Sequence, residues 1–152
     1  RLRPAGVYST ASVSGKSNGQ YDSYMFVKDG VAYRVGGNSS TSLYSRHPLS
    51  NISLSKKFLV ADFPQLVGYS VVNMASAMMS DGRIVIFPSR GSETHAMILD
   101  PVANTLTPTG QFVTGMDKPT LYELAAEWSP AHNAVILLSR RFSANRVYAY
   151  RP

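Results

Sequence analysis

Short apolar runs separated by polar clusters follow one another along the chain. The clearest runs are residues 24–27, 31–35, 83–87 and 134–138, and they are rich in Val, Ile, Tyr and Phe. Gly, Pro, Asn, Asp and Ser fill the intervals between them, as is typical of turns between strands. Residues 120–128 could form a short helix, but the repeat described next places a strand at its end. The pattern therefore predicts an all-β protein.

A hairpin pattern occurs three times at nearly constant spacing. Asp29-Gly30, Asp81-Gly82 and His132-Asn133 each lie between two apolar runs, and their starts are 52 and 51 residues apart. Asp-Gly favours a two-residue type I′ turn, which needs positive φ at both central positions. Asn also tolerates positive φ, although His does so less easily. We therefore predict three hairpins with equivalent turns.

Each hairpin is followed by a polar loop and a third strand that leads to a proline. These strands are residues 42–45, 96–99 and 146–150, and the prolines are Pro48, Pro101 and Pro152. Fourth strands are predicted at residues 51–56 and 104–108, because proline ends one strand and cannot donate to its ladder. Residues 1–152 then form one domain with repeat units at about 5–48, 49–101 and 102–152.

Some of these residues resemble the Kelch repeat. Residues 33–37 end in Gly36-Gly37 and are followed by Leu43-Tyr44, which is similar to the Kelch double glycine and its next, aromatic strand. Residues 99–105, with Asp100-Pro101, resemble the turn before the outer strand of that family. The double glycine occurs once, and the tryptophan usual on the fourth strand is missing from every copy.

The resemblance implies three four-stranded antiparallel blades of a Kelch-like β-propeller, as a partial propeller or as half of a six-bladed ring. A generic sandwich of hairpins is the alternative. Residues 1–4 resemble the end of a third strand, and residues 7–13 would then be an outer strand. A ring of blades must close. Two copies could close it, each lending its first strand to the other, or further blades could belong to the same polypeptide.

The charge and composition of the chain limit the partners and the chemistry that can be expected of it. The net charge is +6, and eight of the fifteen basic residues lie in the first 60 positions. Such a field favours acidic partners, but the basic residues are scattered, which makes nucleic acid an unlikely partner. The chain has no cysteine, which excludes disulfides and the cysteine-modified tyrosine of galactose-oxidase-type Kelch enzymes. No apolar run approaches a membrane span of about 18 residues, so we expect a soluble protein.

No catalytic or metal-binding motif is visible. His47, His95 and His132 lie far apart in sequence and in different parts of the repeat, without the spacing of metal ligands. Residues 14–17 contain Gly-Lys-Ser but lack the upstream glycine of a phosphate-binding loop. A nucleophile elbow is also missing. We therefore predict no enzymatic activity, no cofactor and no metal.

The loops between second and third strands are the predicted binding surface, because such loops lie together on one face of a propeller. The candidate residues are Asn38, Arg90, His95, Arg140, Arg141 and Phe142. Arginine and amide side chains suit glycans or acidic protein surfaces.

Residues 81–88 and 99–105 are also similar to propeller repeats of bacteriophage tail and virion proteins. The first hypothesis is therefore a non-enzymatic virion or extracellular surface module that binds a receptor, a glycan or a neighbouring subunit. The alternative is a Kelch-like fragment of a larger enzyme or adaptor whose catalytic residues lie outside this chain.

Overall fold

The computed structural model describes residues 23–91, 93–112, 124–141 and 144–152. Strands dominate this part of the chain: β1 Ser23–Lys28, β2 Val31–Gly36, β3 Ser42–Pro48, β4 Lys56–Leu59, β5 Ser70–Met78, β6 Ile84–Arg90, β7 Glu93–Asp100, β8 Thr105–Phe112, β9 Leu124–Ser129, β10 Ala134–Arg141 and β11 Ala144–Tyr150. Short 3-10 turns lie at Ile52–Leu54, Val60–Asp62, Pro64–Leu66 and Pro130–His132. Within the described ranges, no helix has the length and apolar character to cross a membrane.

The strands form three antiparallel sheets in chain order. The first sheet is β1-β2-β3-β4, the second is β5-β6-β7-β8, and the third is β9-β10-β11. The prediction of an all-β protein made of repeated antiparallel sheets is confirmed. Two sheets have the predicted four strands, whereas the third has three among the described residues, which form no closed ring. The outer strand predicted at residues 7–13 lies outside the described residues.

The fourth strand of the first sheet begins later than predicted. Residues 52–54 form a 3-10 turn, because the Asn51 side chain accepts a hydrogen bond from the Ser53 backbone N–H and caps it. The strand itself is Lys56–Leu59, which pairs with β3. In the second sheet the prediction is confirmed, since β8 begins at Thr105. Each of these outer strands belongs to the sheet of the preceding repeat unit.

The first hairpin has the predicted two-residue turn. Lys28 pairs with Val31, so Asp29 and Gly30 alone connect β1 and β2. Their φ angles are 50° and 74°, and positive φ at both positions is the requirement of a type I′ turn. Local sequence therefore determines this turn.

The other two hairpins correct the prediction of equivalent turns. The Met79 N–H donates to the Arg83 carbonyl at 2.8 Å, which leaves a three-residue loop in which Gly82 alone has positive φ, 92°. In the third hairpin Ser129 pairs with Ala134, and a 3-10 turn precedes Asn133, whose φ is 46°. The residue at positive φ keeps its place before the second strand, while the loop lengthens by one residue at each repeat.

The second sheet is buried on both faces. Ile84 and Ile86 pack against the first sheet in one apolar cluster, and Val85 and Phe87 pack against the third sheet in another. All four side chains have no exposed surface. This position between two sheets explains why residues 84–87 form a continuous apolar run and do not alternate with polar residues.

Equivalent positions of the repeat face equivalent directions. When the three units are aligned from their turns, Tyr33 and Val35 of the first sheet face the second sheet, and Val85 and Phe87 of the second sheet face the third. Ile136 and Leu138 hold the equivalent positions of the third sheet. The first two pairs are buried, but Leu138 is 52% exposed. We call the surface of the third sheet around Ile136 and Leu138 the open face of the third sheet.

The outer side of the first sheet buries a histidine. His47 Nε2 lies 2.9 Å from Ser45 Oγ, and its Nδ1 lies 2.9 Å from Ser55 Oγ. Burial lowers the pKa of His47 from its ordinary value, and the positive charge of Arg34 lowers it further. The lowered pKa favours the neutral imidazole, which lies between two hydroxyls.

Acidification is expected to destabilise the protein through His47. A histidine whose pKa is lower in the folded state stabilises the fold fully above its unfolded pKa of about 6.5, and that stability is lost as pH falls through the folded pKa. Melting temperatures measured between about pH 7.5 and pH 5 should fall more steeply for the wild-type protein than for His47→Gln. Parallel curves for the two proteins would contradict this role.

Candidate functional site

Arg90 and His95 meet around one aromatic ring at the loop end of the second sheet. The Arg90 guanidinium lies over the Tyr69 ring, 5.5 Å from its centroid. The His95 ring approaches Tyr69 edge-on, with centroids 5.1 Å apart and an interplanar angle of 84°. The backbone of Arg90 also pairs with that of Glu93, where β6 turns into β7. The structure thus brings together two of the predicted binding residues and adds Tyr69.

The acidic residue of this hairpin is engaged by the histidine. Glu93 Oε2 lies 3.2 Å from His95 Nε2, which makes an ion pair whenever the imidazole is protonated. The guanidinium of Arg90 is held over Tyr69, a cation–π contact worth about 0.5–1 kcal/mol at exposed sites. This end of the second sheet therefore presents a cation that is fixed by an aromatic ring.

Asn38 lies in the neighbouring loop of the first sheet and is exposed. The residue before it, Gly37, accepts a hydrogen bond of 2.8 Å from the Asn73 backbone N–H of β5. Asn73 has a φ of 53° and sits where the pairing of β5 with β6 changes register. This bulge ties the loop that carries Asn38 to the second sheet.

The remaining predicted residues are only partly described. The backbone of Arg140 pairs with Asn145 and that of Arg141 with Ala144, which places both arginines at the end of the β10–β11 hairpin. Phe142 lies outside the described residues. Arg90 and His95 contact the same ring, and the binding surface expected from these loops stays a prediction.

At the hairpin-turn end of the sheets, opposite Arg90 and His95, Ser80 of the second sheet contacts both other sheets. Lys28 Nζ of the first sheet donates to the Ser80 carbonyl at 3.1 Å. Trp128 Nε1 of the third sheet donates to Ser80 Oγ at 2.8 Å. Ser80 lies in the turn of the second sheet, so the three hairpin turns lie side by side. Sequence reasoning missed this residue, although Asp81 beside it marked the turn.

A cavity of about 380 Å³ opens between the second and third sheets at this turn end. The residues that line it include Ser80, Asp81, Arg83, Ile98, Trp128 and Asn133. Arg83 Nε donates to Asp81 Oδ2 at 2.9 Å, and this hydrogen bond holds the pKa of Asp81 below its usual range. Both side chains remain about half exposed, at 48% and 51%. The cavity thus combines an aromatic wall with an exposed ion pair.

The open face of the third sheet is mainly apolar. A shallow cavity of about 410 Å³ runs across it, between residues that include Ala125, Glu127, Ile136 and Leu138. Val147, which pairs with Leu138 across the β10–β11 ladder, is 68% exposed. Exposed apolar patches of this kind mark interaction sites on soluble proteins.

The outward side of the first sheet is more polar. The row that includes Arg34 runs from Met25 across Ser45 to Lys57. Met25 is 70% exposed, and Val27, two residues along the same strand, is 60% exposed. We call this surface the open face of the first sheet. It is basic, whereas Glu127 on the open face of the third sheet is acidic.

In the described part of the chain, no three His, Asp or Glu residues cluster closely enough to hold a metal ion. No protein-family model, curated protein or solved structure matches this chain. The function must therefore be inferred from the geometry of the surfaces described above.

Proposed function

We propose that this protein is a non-enzymatic structural module, a segment of a Kelch-like β-propeller, that assembles by packing the open face of its third sheet against a second copy. A virion or extracellular surface is the proposed location, and it rests on the resemblance of residues 81–88 and 99–105 to virion propeller repeats. One observation carries the assembly: Leu138 is exposed at the position where Phe87 and Val35 are fully buried by a following sheet.

The internal interfaces indicate what covers this face. The first sheet packs on the second, and the second packs on the third, each time through the same positions of the repeat. The open face of the first sheet corresponds to the side by which the second and third sheets contact their predecessors. A further step in the same series would place the first sheet of a second copy on Ile136 and Leu138. Two copies of three sheets would then close a six-bladed ring.

Charge favours this head-to-tail contact. Arg34 occupies the position that Ile86 holds in the second sheet, so the first sheet carries a cation where the second is apolar. Glu127 is the acidic residue at the edge of the cavity on the opposite open face. Complementary charges on two surfaces steer association and fix its orientation.

Association should weaken strongly in Leu138→Glu. The substitution removes apolar area worth about 1.5–3 kcal/mol on burial and places a carboxylate that must be desolvated in the apolar part of the contact, so the dissociation constant should rise at least about tenfold. Sedimentation velocity across a range of protein concentrations measures this change. The same exchange at Val67, which is 78% exposed on a 3-10 turn, is the matched control.

The wild-type protein and Val67→Glu should sediment as the same assembly, and Leu138→Glu should sediment as the smaller species. A wild-type protein that stays monomeric at every concentration would overturn self-assembly through this face. Equal dissociation constants for the wild type and Leu138→Glu would overturn the role of Leu138 in the contact.

A further inference from the structure

We propose that the cavity between the second and third sheets at the turn end is a binding site for a neutral sugar ring. The site lies within one chain, and two of its lining residues, Trp128 and Pro130, also line the cavity on the open face of the third sheet. Its volume of about 380 Å³ is at the lower end of the range of about 300–1,000 Å³ found for small-ligand pockets. One pyranose ring, alone or at the end of a glycan, is a ligand of suitable size.

Trp128 supplies the aromatic wall of this site. It is partly exposed in the cavity, and the hydrogen bond of its Nε1 to Ser80 Oγ, 2.8 Å long, fixes the orientation of the indole ring. Trp presents a large rigid apolar surface with little conformational entropy to lose on binding. The C–H face of a pyranose is the apolar surface that such a ring can cover. Ile98 adds a further apolar contact on the second sheet.

The ion pair of Asp81 and Arg83 supplies hydrogen bonds for sugar hydroxyls. The carboxylate accepts from the Arg83 backbone N–H at 3.0 Å and from Nε at 2.9 Å, which holds both side chains in place before a ligand arrives. A carboxylate has about four acceptor positions and a guanidinium five donors, and the contacts within this turn use only part of each set. Adjacent hydroxyls of a pyranose donate and accept at once, and this pair offers both functions.

The charge of the pair selects the class of ligand. Asp81 and Arg83 neutralise one another within 2.8 Å, so an anionic sugar gains little from the arginine and is repelled by the carboxylate. Asn133 lines the same cavity and contributes an amide that both donates and accepts. A neutral, hydroxyl-rich ligand therefore fits these groups better than a phosphate or a sialic acid does.

The single tryptophan of the chain allows a direct test. Because Trp128 is the only tryptophan, its emission reports on the surroundings of one side chain, which lines this cavity and also the cavity on the open face of the third sheet. Titration with the methyl pyranosides of glucose, galactose and mannose should give a saturable change in emission for at least one of them. A dissociation constant of about 1 mM is expected, corresponding to about −4.1 kcal/mol.

Two variants test the polar groups, with thermal melting as the check on folding. Arg83→Ala removes the guanidinium group and should weaken binding about tenfold, as expected for the loss of charge-assisted hydrogen bonds. Asn133→Gly removes the amide but permits the positive φ of 46°, and it should weaken binding several-fold. Lys56→Ala, which removes a cation on the first sheet that does not line the cavity, should bind as the wild type does.

The result that supports the proposal is saturable binding of a neutral pyranoside that is weaker in both cavity variants and unchanged in Lys56→Ala. The proposal is overturned if none of the pyranosides changes the emission saturably, or if Arg83→Ala and Asn133→Gly both bind with wild-type affinity. It is also overturned if sialic acid or a nucleoside binds this cavity and the neutral pyranosides do not. Sedimentation velocity of each variant beside its titration separates loss of sugar binding from loss of assembly.

Discussion

Phe87→Ala is expected to lower the free energy of unfolding by about 3–5 kcal/mol, as truncation of a buried phenylalanine typically does. Phe87 has no exposed surface and lies in β6, the strand that is covered on both sides. Its ring contacts Tyr150 of the third sheet edge-on, with centroids 5.7 Å apart and an interplanar angle of 88°. The substitution therefore opens a cavity between the second and third sheets.

Chemical denaturation measures this loss, and the melting temperature should fall by about 10 °C for a chain of this size. Phe87→Leu is the matched control, because it keeps most of the volume and should cost less than about 1.5 kcal/mol. Val102→Ala, at a turn position that is 75% exposed, should change stability by less than about 0.5 kcal/mol. A loss below about 1 kcal/mol in Phe87→Ala would contradict the packing described for the second sheet.

Those parts of the fold that depend on local sequence were predictable. Asp29-Gly30 has the turn type that its residues require, and the apolar run at 83–87 forms a strand at the predicted place. The predicted strand at the end of residues 120–128 is also confirmed, since Leu124–Ser129 is β9. In each case the signal lies in neighbouring residues, and no contact from another repeat is needed to produce it.

The features that the sequence did not predict depend on contacts between sheets. Residues 59–69 have no counterpart in the aligned hairpins, yet Tyr69 from this segment organises Arg90 and His95. Asn73 interrupts β5 because its backbone bonds to Gly37 of the first sheet. The spacing along the chain gives the period of the repeat but not the distance or angle between stacked sheets. Contacts between sheets therefore cannot be predicted from that spacing.

The candidate sites also divide into features that residue type predicts and features that depend on contacts between sheets. Arginines and histidines in loops are recognisable from residue type, and two of them do lie together at the loop end. The cavity at the turn end needs Trp128 from the third sheet and Arg83 from the second, which are 45 positions apart in the chain. Trp128 donates to Ser80 in the turn that also carries Arg83, and a serine in a turn carries no distinguishing signal.

Tyr44 is expected to show the second large effect on stability, and two substitutions separate its ring from its hydroxyl. The ring is fully buried and stacks on Phe58, with centroids 4.4 Å apart and planes inclined by 5°. The hydroxyl donates to Asn104 Oδ1 at 2.8 Å, which connects the first sheet to the β7–β8 turn of the second. Burial raises the pKa of Tyr44 well above its ordinary value, so the phenol remains a donor at any ordinary pH.

Tyr44→Ala should cost about 3–5 kcal/mol, because it removes the stacked ring and leaves a cavity between two sheets. Tyr44→Phe should cost about 1 kcal/mol, the net value of one hydrogen bond, because Asn104 is exposed and water can replace the lost donor. Denaturant unfolding of both variants gives the two losses. Asn104→Gly in the Tyr44→Phe background is the test of the bond itself, since glycine permits the φ of 55° at that position. Once the phenol is gone, Asn104→Gly should have less effect than it has in the wild-type protein, and equal effects in the two backgrounds would show that the hydroxyl and Asn104 do not interact.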